Sequence, residues 1–392
     1  MKSPGAGCAP GLFRLAQSPR GGESASMATL VIGDIHGCWA ELQALLDKAG
    51  PAADDLILAV GDLVNRGPDS PPLLAFFRDT PNAQSLRGNH EERHLEALPG
   101  REPLGLAHEL ARLQWSEADY RAACRTMAAL PRARLLEEAL VVHAYWEPGR
   151  PLERQRPEVL TGLPGGLERL WSRYERPWYE LYDGERPLIV GHLDYLQTGE
   201  PFVHADRVWG LDTGCVRGGR LSALWLPDFR LVSVKAGARY WQLQRQEYGE
   251  LRRFDLAAHV DLDWRTLRAL LAEIDRRDGL PAGLAERRER LRRFLGRAEA
   301  SLDLLLESLG RRCQGILAEL AAAPGFAALP AGERRRRFRE RAGDGREGRL
   351  LTLAYKGRLG RAALRKAYAS PRALLVACER LGLLLRDHAR PD

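Results

Sequence analysis

An α/β domain followed by a separate, mainly helical C-terminal domain is what the 392-residue sequence predicts, on three observations. Short β-branched runs alternate with helical patterns through the first half, the arrangement that builds a sheet from βαβ units. Three of those runs end in a glycine followed closely by side chains of metal-ligating type. Beyond residue 246 the chain becomes Leu, Ala, Arg and Glu at helical spacing. The predicted divisions are a disordered tail over 1–26, an α/β domain over 27–245 and a basic helical domain over 246–392.

The first run, Leu30 to Gly37, reads LVIGDIHG. At the carboxyl edge of a buried parallel strand, where α/β proteins place their ligands, Asp34 and His36 would point at one site. Carboxylate oxygen and neutral imidazole nitrogen both suit a small divalent cation, and the flanking glycines let backbone come close. Cys38 to Lys48 then reads as an amphipathic helix with Leu42, Leu45 and Leu46 on one face. The second run, Asp55 to Gly67, reads DLILAVGDLVNRG and presents Asp62 and Arg66; Ser70, followed by Pro71 and Pro72, then caps a helix. The third, Ala83 to Glu91, reads AQSLRGNHE and presents Asn89, His90 and Glu91. One grammar used three times within about sixty residues is hard to explain as packing.

From Leu104 to Leu130 the pattern is helical and mixed in charge, with Trp115 and Tyr120 available to cap the site. Strands return at ALVVHAYW from Ala139 and at PLIVGH from Pro187, delivering His143 and His192. Either histidine alone reads as a hydrogen-bonded loop residue. Val208 to Val234 reads as two or three alternating strands with a turn at Pro227 and Asp228. His94, His108, His204, His259 and His388 match no motif.

With GDIHG, GDLVNRG and GNHE in that order and spacing, the chain resembles the calcineurin-like metallophosphoesterases of the phosphoprotein phosphatase type, and in pattern the bacterial diadenosine tetraphosphatase-like enzymes. The likeness covers roughly Ala28 to Ala236. It implies a β-sandwich flanked by helices, with residues 208–234 closing the second sheet. It also implies two divalent metal ions, manganese first, with iron or zinc as alternatives. One ion would be held by Asp34, His36 and Asp62, the other by Asp62, Asn89, His143 and His192. A water shared by both would approach hydroxide at neutral pH and attack phosphorus in line. Arg66 would clamp phosphoryl oxygens, and His90 would be the general acid. Asn65, Glu91 and Asp212 would stand behind these residues, Asp212 either steering a ligand imidazole or only shaping a turn. Arg173, in LWSR, is a second phosphate-holding candidate or a plain surface arginine.

Two departures from the family pattern bear on the substrate. The protein phosphatases carry Asp where this chain has Asn65, and an amide holds a protonated His90 less firmly. That loss matters least when the leaving group is itself a phosphate. The pattern therefore leans toward phosphoanhydride cleavage in dinucleoside polyphosphates. A Ser/Thr protein phosphatase acting on phosphoproteins and an RNA-end (2′,3′-phosphate) phosphatase are the alternatives. Tyr145 and Trp146 after His143 replace a smaller residue and predict a bulkier pocket wall with a ring for base stacking.

Composition narrows the remaining classes. Six cysteines without CxxC spacing predict neither a disulfide framework nor a zinc knot, and a reducing cytoplasm is the expectation. No signal peptide and no membrane span is predicted. Residues 281–392 hold 25 Lys and Arg against 13 Asp and Glu, a net charge of +12, which leaves −5 for the first 280 residues against a total of +7. The run Arg334 to Arg337 reads either as a solvated helix face or as a landing surface for RNA or another polyanion. No GxxxxGK[ST] loop and no ligase lysine motif is present.

Overall fold

The computed structural model describes residues 27–98, 104–248 and 261–384. The expected tail over 1–26, together with His259 and His388, lies outside the described residues. The chain divides into two compact units, Met1–Arg252 with Pro281–Gly283, and Arg253–Leu280 with Leu284–Asp392.

The first unit is built on two five-stranded mixed sheets. Its opening half alternates β1 (Thr29–Ile32), α1 (Trp39–Ala49), β2 (Leu56–Ala59), α2 (Ser70–Asp79), β3 (Ala83–Ser85) and α3 (Asn89–Ala97). Ser70 is the first residue of α2, and Asp69 occupies the cap position instead. Helices α4 (Leu106–Arg112) and α5 (Glu117–Ala129) follow, then β4 (Ala133–Leu135), β5 (Leu140–Val142), α6 (Pro157–Thr161), α7 (Gly166–Arg173), β6 (Leu188–Val190), β7 (Phe202–His204), β8 (Val208–Gly210), β9 (Arg220–Leu226), β10 (Arg230–Lys235) and α8 (Tyr240–Tyr248).

Strand order is β10-β9-β1-β2-β3 in one sheet and β4-β5-β6-β8-β7 in the other. Of the strands expected in residues 208–234, only β8 enters the second sheet. β9 pairs antiparallel with β1, Thr29 opposite Leu226, and so extends the first sheet. Alternating apolar residues fix that two faces are covered but not which sheet edge a strand joins.

Side-chain alternation explains the layering. Leu30 and Ile32 point to the helical layer with Leu42, Leu45 and Phe77, whereas Val31 points to the other sheet and meets Val141, Ile189 and Leu224. Leu140 and Val142 turn outward onto Leu160 and Leu170. Each fully buried aliphatic side chain contributes about 1.5–3 kcal/mol, so the layers lock the strand ends in register. All three parallel runs of the first sheet finish at the same edge, as do β5, β6 and β8 of the second.

The second unit is helical among its described residues: α9 (Trp264–Asp275), α10 (Ala282–Ala321), α11 (Ala331–Ala342), α12 (Gly345–Tyr355), α13 (Arg361–Ala367) and α14 (Pro371–Arg380). Leu291, Phe294, Ala298, Leu302, Leu305 and Leu309 form the buried stripe of the 40-residue α10. In α11 the arginine run is anchored by Phe338, which is fully buried, while its charges pair locally, Arg336 with Glu333 at 2.6 Å and Arg341 with Glu319 at 2.9 Å. No described helix is long and apolar enough to cross a membrane.

Candidate metal centre

The site lies where the carboxyl ends of β1, β2, β5, β6 and β8 and the amino end of α3 meet. Asp62 is at its middle and only 2 % exposed. Its Oδ2 is 3.6 Å from His36 Nε2 and its Oδ1 is 3.4 Å from His143 Nε2. Asn89 Oδ1 lies 2.9 Å from His192 Nδ1 and 3.2 Å from His143 Nε2. Asp34 accepts the His192 backbone N–H at 3.0 Å, which ties the first loop to the loop after β6. The six expected ligand residues are therefore brought together from a span of more than a hundred and fifty positions.

Local backbone makes the convergence possible. His36, Asp62, Asn65, Arg66 and His192 all have positive φ, a left-handed conformation that non-glycine residues adopt at a cost of about 1–3 kcal/mol each. Gly88 and Gly191 pass so close to the carboxylates of Asp62 and Asp34 that a Cβ at either position would collide with an oxygen. Glu91 holds the frame: its carboxylate accepts the N–H groups of Asp62 (3.0 Å), Gly88 (2.9 Å) and Val64 (3.2 Å). Burial, with the Asp62 charge adding to it, pushes Glu91 up to about 7.

The donor set fits cations. His36 Nδ1 donates to the Val64 carbonyl and His143 Nδ1 to that of Val60, each at 3.1 Å. Both Nε2 atoms then face a carboxylate as acceptors, an arrangement that calls for positive charge between them. His36 receives it from Arg66, whose Nη1 lies 2.8 Å away. His143 receives it as a proton: burial opposes this, but Asp62 and Asp34 together raise it to about 10. His36 and His192 go the other way, burial holding both down to about 3. Burial and the neighbouring Asp212 charge push Asp34 up, whereas Asp62, despite its burial, is held well below the usual carboxylate range by His143, His90 and His36.

His90 stands beside Asp62, Nε2 to Oδ2 at 4.0 Å. Behind it runs a relay that the sequence motifs do not contain. The Tyr120 hydroxyl donates to His94 Nδ1 (2.9 Å), His94 Nε2 donates to Asn65 Oδ1 (2.7 Å), and Asn65 Nδ2 donates to His90 Nδ1 (2.6 Å). Every donor in that series meets an acceptor, so the His90 proton sits on Nε2, facing the ligands. Burial, opposed by Asp62 and reinforced by Arg66, keeps His90 well below the ordinary histidine value and hence neutral. His108, on α4, stacks on His90 with ring centroids 5.0 Å apart.

Several expected site residues lie elsewhere or face otherwise. Arg173 is half exposed at the end of α7, where its contacts are Glu147 at 3.9 Å and the Tyr174 ring. Glu147, fully buried, is ringed by Arg150, Arg156 and Arg169 as well, so this arginine cluster has its own carboxylate. Tyr145 and Trp146 do not offer an open stacking face. Both are buried in the layer behind β5, with the Tyr145 ring edge-on to His192 at 5.2 Å. Trp115 and Tyr120, expected over the site, are also buried, and Tyr120 reaches it only through the relay. Asp212 accepts the Gly214 N–H at 3.0 Å, a turn-shaping contact, while its charge is felt at Asp34.

Comparison with known proteins agrees with this architecture. Residues 27–210 match the family model described as Calcineurin-like phosphoesterase. A symmetrical bis(5'-nucleosyl)-tetraphosphatase of Aromatoleum aromaticum is 30% identical over 268 residues, 54% of this chain and 98% of the relative. An asymmetrical bis(5'-nucleosyl)-tetraphosphatase, PrpE, of Bacillus velezensis is 27% identical over 241 residues, 55% of this chain and 95% of that one. A solved metallophosphoesterase structure from Sphaerobacter thermophilus is 22% identical, with a TM-score of 0.37 and coverage of 57% of this chain and 94% of that chain. Since one relative is 30% identical and matched along 98% of its length, and residues 27–210 match the family model, the chain belongs to the calcineurin-like phosphoesterase family.

Proposed function

We propose that the chain is a metal-dependent hydrolase of phosphoanhydride bonds in dinucleoside polyphosphates, with Asp34, His36, Asp62, Asn89, His143 and His192 as ligands of two divalent cations. The observation that carries this is the placement of Asp62 between two imidazoles whose Nε2 atoms face its two oxygens. The tetraphosphatase relatives support the substrate class. Carboxylate, imidazole and amide oxygen together suit manganese, iron or zinc, and manganese is our choice. Bound there, such ions supply Lewis-acid charge and bring the pKa of a water toward neutrality. The free thiols of five described cysteines fit a cytoplasmic protein.

The chain's own residues divide the remaining work. Arg66, always cationic, brings a guanidinium into the same pocket to meet phosphoryl oxygens. Asp62, whose two oxygens face different histidines, would be the ligand shared by both cations. Neutral His90 offers the Nε2 proton as a hydrogen bond to the departing oxygen. A neutral imidazole gives that proton up poorly, so the arrangement serves leaving groups that depart as stable anions, such as a nucleoside polyphosphate.

Turnover of diadenosine tetraphosphate, a phosphoserine peptide and an RNA 2′,3′-cyclic phosphate by the manganese-loaded chain tests the reading. The tetraphosphate is expected to be the preferred substrate, and preference for the peptide would overturn it. Asn65→Asp supplies a second check. An aspartate would accept from His90 Nδ1 and favour the imidazolium, so activity on an alkyl phosphate relative to the tetraphosphate is expected to rise by at least about three-fold.

A further inference from the structure

We propose that a basic groove beside the metal centre, lined by Arg217, Arg239 and Arg245, binds the polyphosphate arm of the substrate that lies beyond the scissile bond. The proposal rests on the hydrolase reading above and names the part of the substrate that the ligands do not touch. The groove is formed by two adjoining cavities of 460 and 540 Å³ that share Arg217 and Arg239. Among the described residues, five cations and two carboxylates line the two.

The loop from Asp212 to Gly219 connects the groove to the chemistry. Thr213 and Gly214 of this loop line the groove together with Asp194, which lies two residues after His192, whose backbone N–H donates to Asp34. The loop lies tight against its neighbour: Gly218 has φ 94°, and a Cβ on it would come within 2.8 Å of Arg239 Cγ. Arg217 and Arg239 are thus held side by side. At the far end Arg245 lies over the Trp241 ring, 5.8 Å from its centroid.

A solvated arginine face is the competing explanation, and the gathering of arginines in one concave groove distinguishes the two. Some surface arginines sit on acids, as Arg341 does on Glu319 and Arg372 on Asp261. Arg217 and Arg239 form no ion pair among the described residues, although Asp194 and Glu200 line the same groove. Exposed guanidinium groups that outnumber the carboxylates in one groove and leave them unpaired suit a ligand that brings several negative charges of its own.

Calorimetric titration of the full manganese-loaded chain with AMP and with the non-hydrolysable α,β:β,γ-bismethylene analogue of ATP tests this. In the wild-type chain the triphosphate analogue is expected to bind at least about ten-fold more tightly than AMP. In Arg217→Ala/Arg239→Ala that advantage is expected to fall to about three-fold or less. An advantage unchanged within two-fold in the double variant overturns the proposal, as does a wild-type chain that binds both alike. Arg239→Ala alone repeats the comparison if the double variant melts at a lower temperature. Failure of the hydrolase reading shows separately, as absent turnover of diadenosine tetraphosphate by the wild-type chain, because calorimetry needs no turnover.

Discussion

Asp62→Asn is expected to reduce kcat/KM for diadenosine tetraphosphate by about 10³-fold or more, roughly 4 kcal/mol of transition-state stabilisation. The amide keeps the carboxylate's shape, so an acceptor for the His90 backbone N–H, now at 3.1 Å, remains and the fold should persist. What disappears is the negative charge that faces His36, His143 and His90 from one buried position. An amide offers a cation one oxygen where the carboxylate offers two, so a bridging role is lost outright. Manganese titration by calorimetry should show weakened binding in parallel with the loss of turnover, and far-UV circular dichroism should be unchanged. Wild-type manganese affinity in the variant would remove Asp62 from the ligand set.

The second large effect is expected at His90. His90→Asn should cost about 10²-fold in kcat, within the usual range for a group that assists proton transfer or hydrogen-bonds a leaving oxygen. The loss should depend on the leaving group. For an alkyl phosphate, whose oxygen departs as a strong base, it should be several-fold larger than for the tetraphosphate. Manganese affinity should change little, because the His90 Nε2 that lies 4.0 Å from Asp62 carries the proton and so has no lone pair to give a cation. Equal losses on both substrates would assign His90 to substrate positioning instead.

The relay behind His90 shows where the sequence was readable and where it was not. Asp34, His36, Asp62 and Asn89 were visible because each follows a strand whose end is marked by an apolar run and a glycine, whereas His143 and His192 read as loop residues until the resemblance assigned them a role. His94 offered a local clue: it lies four residues after His90, hence on the same face of α3. His108 offered none, and Tyr120 read only as a residue available to cap the site. Their approach depends on how α4 and α5 pack against α3, which no spacing in the chain records. For Arg173 the sequence left two readings open, a phosphate-holding position in a Trp-x-Arg setting or a plain surface arginine, and the buried Glu147 carboxylate 3.9 Å from its guanidinium is a partner that no motif contains. For β9 and β10 the strand pattern was legible, while the choice of sheet was made by pairing with β1.

The five left-handed residues that bring the ligand loops together set the molecule's two obligations against each other. Glycine at His36, Asp62 or His192 would rest comfortably in the same backbone shape, yet it would delete the side chain that the shape exists to present. Random drift toward a more relaxed chain therefore leads away from chemistry at these positions, and a stabilised but silent descendant is the natural outcome once selection on turnover is lifted.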